Sequence, residues 1–247
     1  MSAAAALKTK PRSFDPVAPL QVFEWDTAAH DFRGIYTAHL KDAVGCPDIE
    51  RYHEYLPTER MPKDPVEGTA HTYGHDLLYA IDPAFRQAGF VTAKDRGFVA
   101  TYRRLMRFVQ DEVFGEPIIF QRLPSLRIHY PGFTSYGVMH TDREYNHPAE
   151  EINLWMPITR CGNTATMVIE SAIGRGDYAP VNLDYGNLLI FDSALMHGNR
   201  VNEEGYTRMS FDMRVIPQRI WRDARGTFSA TAGKEFTLGQ YYDRFED

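Results

Sequence analysis

Two apolar rhythms divide the chain. Over residues 27–45 (TAAHDFRGIYTAHLKDAVG), Phe32, Ile35, Tyr36 and Leu40 recur at helical spacing, and Gly45 marks a stop. Over residues 92–114, Phe98, Tyr102, Leu105, Phe108, Val109 and Val113 form one apolar stripe, the strongest helical pattern in the chain. The side of that helix carrying Arg103, Arg104 and Arg107 reads as a solvated face. Residues 46–70 are rich in Pro, Glu, Asp and Arg without a period and read as loop, with one short helix at most; His71 opens a second helical stretch through Ala80. After Gly115 the rhythm shortens. Residues 117–130, 151–159, 164–170, 187–191 and 206–216 are short apolar or alternating runs, punctuated by Pro124, Gly132, Gly174, Gly176, Pro180, Gly186 and Gly205. Short strands with regular turn signals predict a sandwich or barrel. The tail, 217–247, carries Trp221, Phe228, Phe236, Tyr241 and Tyr242 and is expected to fold back on the core. The predicted fold class is α+β. An N-terminal arm (1–26) precedes a single domain (27–247), made of a helical layer (27–115), a double-stranded β-helix or jelly-roll core (116–217) and a C-terminal packing segment (218–247).

Composition narrows the function classes. At 247 residues, 43% hydrophobic and 24% charged, the chain is ordinary for a water-soluble globular protein. A net charge of −6 with no basic tract argues against a nucleic-acid partner. No run is long and apolar enough to span a membrane. The first residues lack the apolar segment of a signal peptide. Cys46 and Cys161 form no disulfide framework, so a cytoplasmic setting is expected. No pattern sets an oligomeric state. No nucleophile elbow, phosphate loop or dinucleotide fingerprint is present.

The chemistry-bearing residues gather between His140 and Ser210. His140 and Asp142 stand two apart, a spacing that turns both to one side of a strand or strand end. Taken alone, each histidine reads more simply as a polar residue in a turn. His197 follows the buried-strand run Leu188–Phe191, Arg208 lies eleven residues beyond it, and Ser210 two beyond that. Gly198, Asn199, Asn202 and Gly205 predict a hairpin that returns Arg208 alongside His197. Two imidazoles and a carboxylate hold a ferrous ion on one face and leave the opposite face open. An arginine fork beyond them suits a carboxylate, because it meets both oxygens. His71 and His75 are four apart as well, but no glutamate follows His71 and Gly74 weakens the helix, so they read as surface or packing residues.

These motifs resemble the iron(II)/2-oxoglutarate-dependent oxygenases. The stretches RIHYPG, HTDREYNHPAEEINLWMPIT and HGNRVN…RMSFDMRV, within residues 119–217, are similar to a phytanoyl-CoA-hydroxylase-like bacterial branch that includes streptomycin-pathway oxygenases and enzymes acting on free amino acids. The resemblance implies His140, Asp142 and His197 as iron ligands, with Arg208 and Ser210 on the distal carboxylate of 2-oxoglutarate. It implies iron(II) as cofactor, with 2-oxoglutarate and dioxygen as co-substrates, and hydroxylation of an unactivated C–H with release of succinate. Related halogenases carry Ala or Gly where this chain has Asp142, so the aspartate points to hydroxylation or another oxidation.

Strand parity extends the site. Asp212 and Arg214 share a side with Arg208 and Ser210, which makes them candidate contacts for a small charged substrate or, equally, a structural pair. Arg127 groups with Gln121, Ser125 and His129 and is a candidate for the co-substrate's near carboxylate or for the substrate, or, equally, half of a salt bridge; Asn153 is a second candidate contact, and Trp155 reads as a core aromatic. Glu144, in the loop after His140 and Asp142, is a candidate substrate contact. His129 and His147 read as supports rather than ligands. Two other readings stand beside the oxygenase. A cupin-type metalloenzyme that does not use 2-oxoglutarate leaves Arg208 and Ser210 without a task. A non-enzymatic jelly-roll binding protein leaves the metal-ligand spacing unexplained.

Overall fold

A computed structural model describes residues 13–56, 95–134, 139–230 and 233–246. In chain order these residues form β1 (Leu20–Glu24), α1 (Phe32–Val44), α2 (Arg96–Phe108), β2 (Ile118–Gln121), β3 (Ser125–His129), β4 (Ile152–Pro157), β5 (Met167–Ile169), β6 (Ala179–Pro180), β7 (Asn187–Asp192), β8 (His197–Asn199), β9 (Arg208–Pro217), β10 (Ala224–Phe228), β11 (Glu235–Phe236) and β12 (Tyr242–Arg244). His71 and His75 lie outside the described residues.

The two helices begin and end where the sequence supplies caps. Asp31 accepts the Gly34 amide at 2.8 Å at the start of α1, and Asp95 accepts the Phe98 amide at 2.8 Å at the start of α2. Helix α1 stops at Gly45, whose φ of 74° is left-handed and suits a residue without a Cβ. Beyond α2 the chain winds on through a wider turn, Val109–Phe114, and stops at Gly115. One short 3-10 helix, Ile49–Tyr55, falls in the stretch expected to be loop.

The larger sheet runs β1-β7-β4-β9-β2-β12, with β3 also on β9, and each neighbouring pair is antiparallel. Strand β9 organises it. Along one edge it pairs with β4; along the other it pairs first with β3 and then with β2. Its alternation is the predicted one. Met209, Phe211, Met213 and Val215 enter the core beneath the helices, where the Phe211 ring lies 5.6 Å from Phe32, 5.8 Å from Tyr36 and 5.6 Å from Phe98. Burying a phenylalanine this completely contributes about 2–3 kcal/mol. The opposite face turns toward the small sheet β6-β5-β8, and Leu20, Val22, Trp155, Leu189 and Phe191 meet Met167, Ile169 and Val181 between the two. The result is an antiparallel sandwich with two helices on one outer face.

Three expectations are corrected. Part of the stretch read as an arm is β1, whose LQVFE alternates too briefly to stand out and becomes a strand by lying along β7, Leu20 opposite Phe191 and Glu24 opposite Asn187. Residues 197–208 are not a hairpin: β8 pairs with β5 in the small sheet and β9 with β3 and β4 in the large one, so the connection crosses the sandwich. The arginine face of α2 is not simply solvated. Arg103 forms an ion pair with Asp243, and the Arg107 guanidinium sits 3.8 Å from the centre of the Phe245 ring, so this face holds the tail. The tail packs through Phe236, Tyr241 and Tyr242 against Ile119 and Ile216, with Phe228 left 53% exposed. Cys46 and Cys161 are buried and free. Among the described residues, no helix is long and apolar enough to cross a membrane.

Candidate metal centre

A single antiparallel bridge brings the two histidines together. His140 and His197 exchange both backbone hydrogen bonds at 2.9 Å, and their ring centroids lie 4.5 Å apart. Gly198 permits this approach: a Cβ there would meet the Met139 amide nitrogen at 2.8 Å. Asp142 heads a short turn, Asp142–Tyr145, and its amide is held by the Ser193 carbonyl at 3.1 Å. One ligand atom from each of His140, Asp142 and His197 falls within 4.8 Å of the others.

This donor set fits a divalent ion. Asp142 Oδ1 stands 3.5 Å from His140 Nε2 and 3.8 Å from His197 Nε2, at or beyond the reach of a direct hydrogen bond and suited to a shared third partner. The other His197 nitrogen, Nδ1, donates to the Leu195 carbonyl at 2.9 Å, which leaves Nε2 as the ligating lone pair. Burial lowers the His197 pKa against the pull of Asp142, favouring the neutral ring that ligation requires. Burial works to raise the Asp142 pKa, but the Arg214 guanidinium, with His140 and His197, holds it well below the usual carboxylate range.

The charged row on β9 resolves into two pairs that parity alone does not reveal. Arg214 directs Nε and Nη2 at Asp142 Oδ2, at 3.1 and 2.8 Å. Asp212 accepts from Arg127 Nε at 2.5 Å, and both side chains are partly exposed. Arg208 differs. It is 1% exposed, and among the described residues no carboxylate pairs with it. Its Nη1 donates to Ser210 Oγ at 2.5 Å, and Nη2 to Asn199 Oδ1 at 2.7 Å and toward His129 Nδ1 at 3.3 Å, while Nε has no partner. Burial pushes the His129 pKa down to about 3, helped by Arg208, so its ring is neutral and accepts; its Nε2 donates to the Phe133 carbonyl at 2.8 Å.

One cavity between the sheets contains most of these groups. His140, Asp142, His197, Arg208, Arg127, Asp212, Arg214, Asn153 and Trp155 all line it. Asn153 is 3% exposed, and among the described residues neither of its amide atoms has a hydrogen-bond partner. Glu144 does not line the cavity; its carboxylate accepts the Thr141 amide at 2.8 Å and caps the turn that carries Asp142. Sequence reading missed Asn199 as the acceptor for Arg208, although it stands two residues past His197 on the same side of β8.

No family model matches the chain. The streptomycin biosynthesis protein StrG of Streptomyces griseus is 35% identical over 144 residues, 58% of this chain and 67% of that protein. The chain belongs to the family of this relative. Among solved structures, AviO1 from Streptomyces viridochromogenes Tue57 is similar at a TM-score of 0.43 and 14% identity, over 87% of this chain and 95% of that one. SnoK, a non-heme alpha ketoglutarate dependent carbocyclase from nogalamycin biosynthesis, is similar at 0.44 and 11%, over 84% and 86%.

Proposed function

We propose that the chain is a single double-stranded β-helix domain acting as an iron(II)/2-oxoglutarate-dependent oxygenase, which hydroxylates an unactivated C–H of a small polar substrate, an amino acid or natural-product intermediate. One observation carries this reading: a buried guanidinium, without a carboxylate partner among the described residues, shares a cavity with a His–Asp–His cluster. A buried cation left unpaired costs several kcal/mol, which an anionic ligand relieves. A cupin-type enzyme without 2-oxoglutarate offers Arg208 no such ligand.

His140, Asp142 and His197 would hold the ion, and all three line the cavity. Bound iron(II) would supply the redox chemistry, with dioxygen giving one oxygen atom to 2-oxoglutarate, released as succinate and carbon dioxide, and one to the substrate. Arg208 and Ser210 bind the far carboxylate of 2-oxoglutarate. The Arg208 fork is already aimed by Asn199 and by neutral His129, so little side-chain freedom is lost on binding. Asn153 donates through Nδ2 to the co-substrate, and its carbonyl accepts from a donor group on the substrate. The Arg127–Asp212 pair offers one positive and one negative group to a substrate that bears both. Arg214 is engaged by Asp142 and orients that ligand, and Glu144 acts through the turn it caps.

The test is incubation of purified, iron-loaded protein with 2-oxoglutarate, dioxygen and a panel of amino acids, amino sugars and cyclitols. The expected result is substrate-dependent succinate with a product heavier by one oxygen. Loss of 2-oxoglutarate with no substrate, or none at all across the panel, would contradict the substrate class or the reaction respectively.

A further inference from the structure

Behind the Asp142 carboxylate lies a row of buried groups, of which the reaction above uses only Arg214. Arg214 reaches Asp142 through Nε and Nη2, and the same Nε lies 4.0 Å from Glu151 Oε2. Glu151 precedes β4 and is 2% exposed. Its Oε2 meets His147 Nδ1 at 2.6 Å, and its Oε1 accepts from the Tyr242 hydroxyl of β12. Gln121 Oε1 stands 3.5 Å from Arg214 Nη1 and completes the surround. Four separate segments of chain therefore converge on one arginine and one glutamate.

A carboxylate is expensive to bury, and replacing a buried ion pair by apolar groups is often neutral or stabilising. The geometry gives Glu151 a purpose other than stability. Arg214 is within ion-pair distance of two buried carboxylates, Asp142 and Glu151. Sharing the guanidinium with Glu151 leaves Asp142 electron density on Oδ1, the oxygen turned toward the histidines.

We propose that Glu151 is a positioning residue for the metal site: through Arg214 it holds Asp142 as a one-oxygen ligand, with Tyr242 and His147 fixing its own carboxylate. The proposal rests on the reading of His140, Asp142 and His197 as metal ligands.

The experiment is a Co(II) titration of the full-length apoprotein, followed by visible absorption, with the thermal midpoint of each apoprotein measured in parallel. Glu151→Gln keeps the size and an acceptor for Tyr242 but removes the charge. It is expected to bind Co(II) roughly tenfold to a hundredfold more weakly than the parent, the scale on which outer-shell partners act. Glu151→Asp should recover part of that loss. Tyr242→Phe removes a single hydroxyl, serves if Glu151→Gln does not fold, and is expected to weaken binding about threefold to tenfold. A lowered midpoint with Co(II) affinity within twofold of the parent, in whichever of these variants folds, gives Glu151 a structural role only and overturns the proposal. A parent protein that binds no Co(II) overturns the metal-site reading itself.

Discussion

Both Nε and Nη2 of Arg214 reach the same oxygen of Asp142, at 3.1 and 2.8 Å, and leave the other oxygen facing His140 and His197. One carboxylate thus faces a fixed cation behind and a place for a second cation in front. Removing the guanidinium strands a buried anion. Arg214→Met is expected to destabilise the apoprotein by about 3–5 kcal/mol, the usual cost of breaking a buried pair. Because a metal ion supplies positive charge to the same carboxylate, saturating Co(II) should raise the thermal midpoint of this variant by more than it raises that of the parent.

Gly198 lets the two histidine-bearing segments touch. A Cβ would stand 2.8 Å from the Met139 amide nitrogen and 2.9 Å from its Cα, and backbone cannot swing aside as a side-chain tip can. Gly198→Ala is expected to cost about 1–3 kcal/mol in urea denaturation, the usual penalty of overpacking. It should also weaken Co(II) binding, because the His140–His197 bridge must part.

Arg208→Lys keeps the charge and loses the fork. Binding of 2-oxoglutarate, measured calorimetrically on the Co(II)-loaded protein, is expected to weaken by about tenfold or more, given roughly 1.5–3 kcal/mol for a charge-assisted hydrogen bond. Co(II) affinity without 2-oxoglutarate should remain unchanged, since Arg208 touches none of the three ligands.

His129 links acidity to stability. Burial, followed by Arg208, lowers its pKa from 6.5 to about 3. Below pH 6.5 the unfolded chain takes up a proton at this residue while the native one does not, so stability falls with pH down to about 3. The native contribution is complete above the unfolded pKa and shrinks below it. Between about pH 7.5 and 4.5, the parent should lose about 2–3 kcal/mol through this residue. His129→Gln should start less stable at the higher pH and show a shallower decline in urea midpoints.

The sequence disclosed what repeats locally and concealed what depends on distant partners. The alternation of β9 is legible because Met209, Phe211, Met213 and Val215 are apolar while Arg208, Ser210, Asp212 and Arg214 are not. His140, Asp142 and His197 are legible through spacing and the run that precedes His197. Strand β1 is not, because five residues at a sheet edge carry too little pattern without β7 beside them. Parity placed the β9 charges on one side but could not choose their partners: Asp212 takes Arg127 from β3, and Arg214 takes Asp142 from a turn 72 residues away. Glu151 and Tyr242, 91 residues apart, share no local signature, and only packing of the tail joins them. Asn199 could have been found by applying to β8 the parity that was applied to β9.

The central claim is that His140, Asp142, His197 and Arg208 together hold iron(II) and 2-oxoglutarate. Anaerobic optical titration tests it most directly, because iron(II) chelated by a 2-oxo acid absorbs weakly in the visible while neither partner does alone. The account predicts that band when both are added to the protein, and its loss in His197→Ala. No band at saturating iron(II) and 2-oxoglutarate, or a band that survives in His197→Ala unchanged, would contradict it.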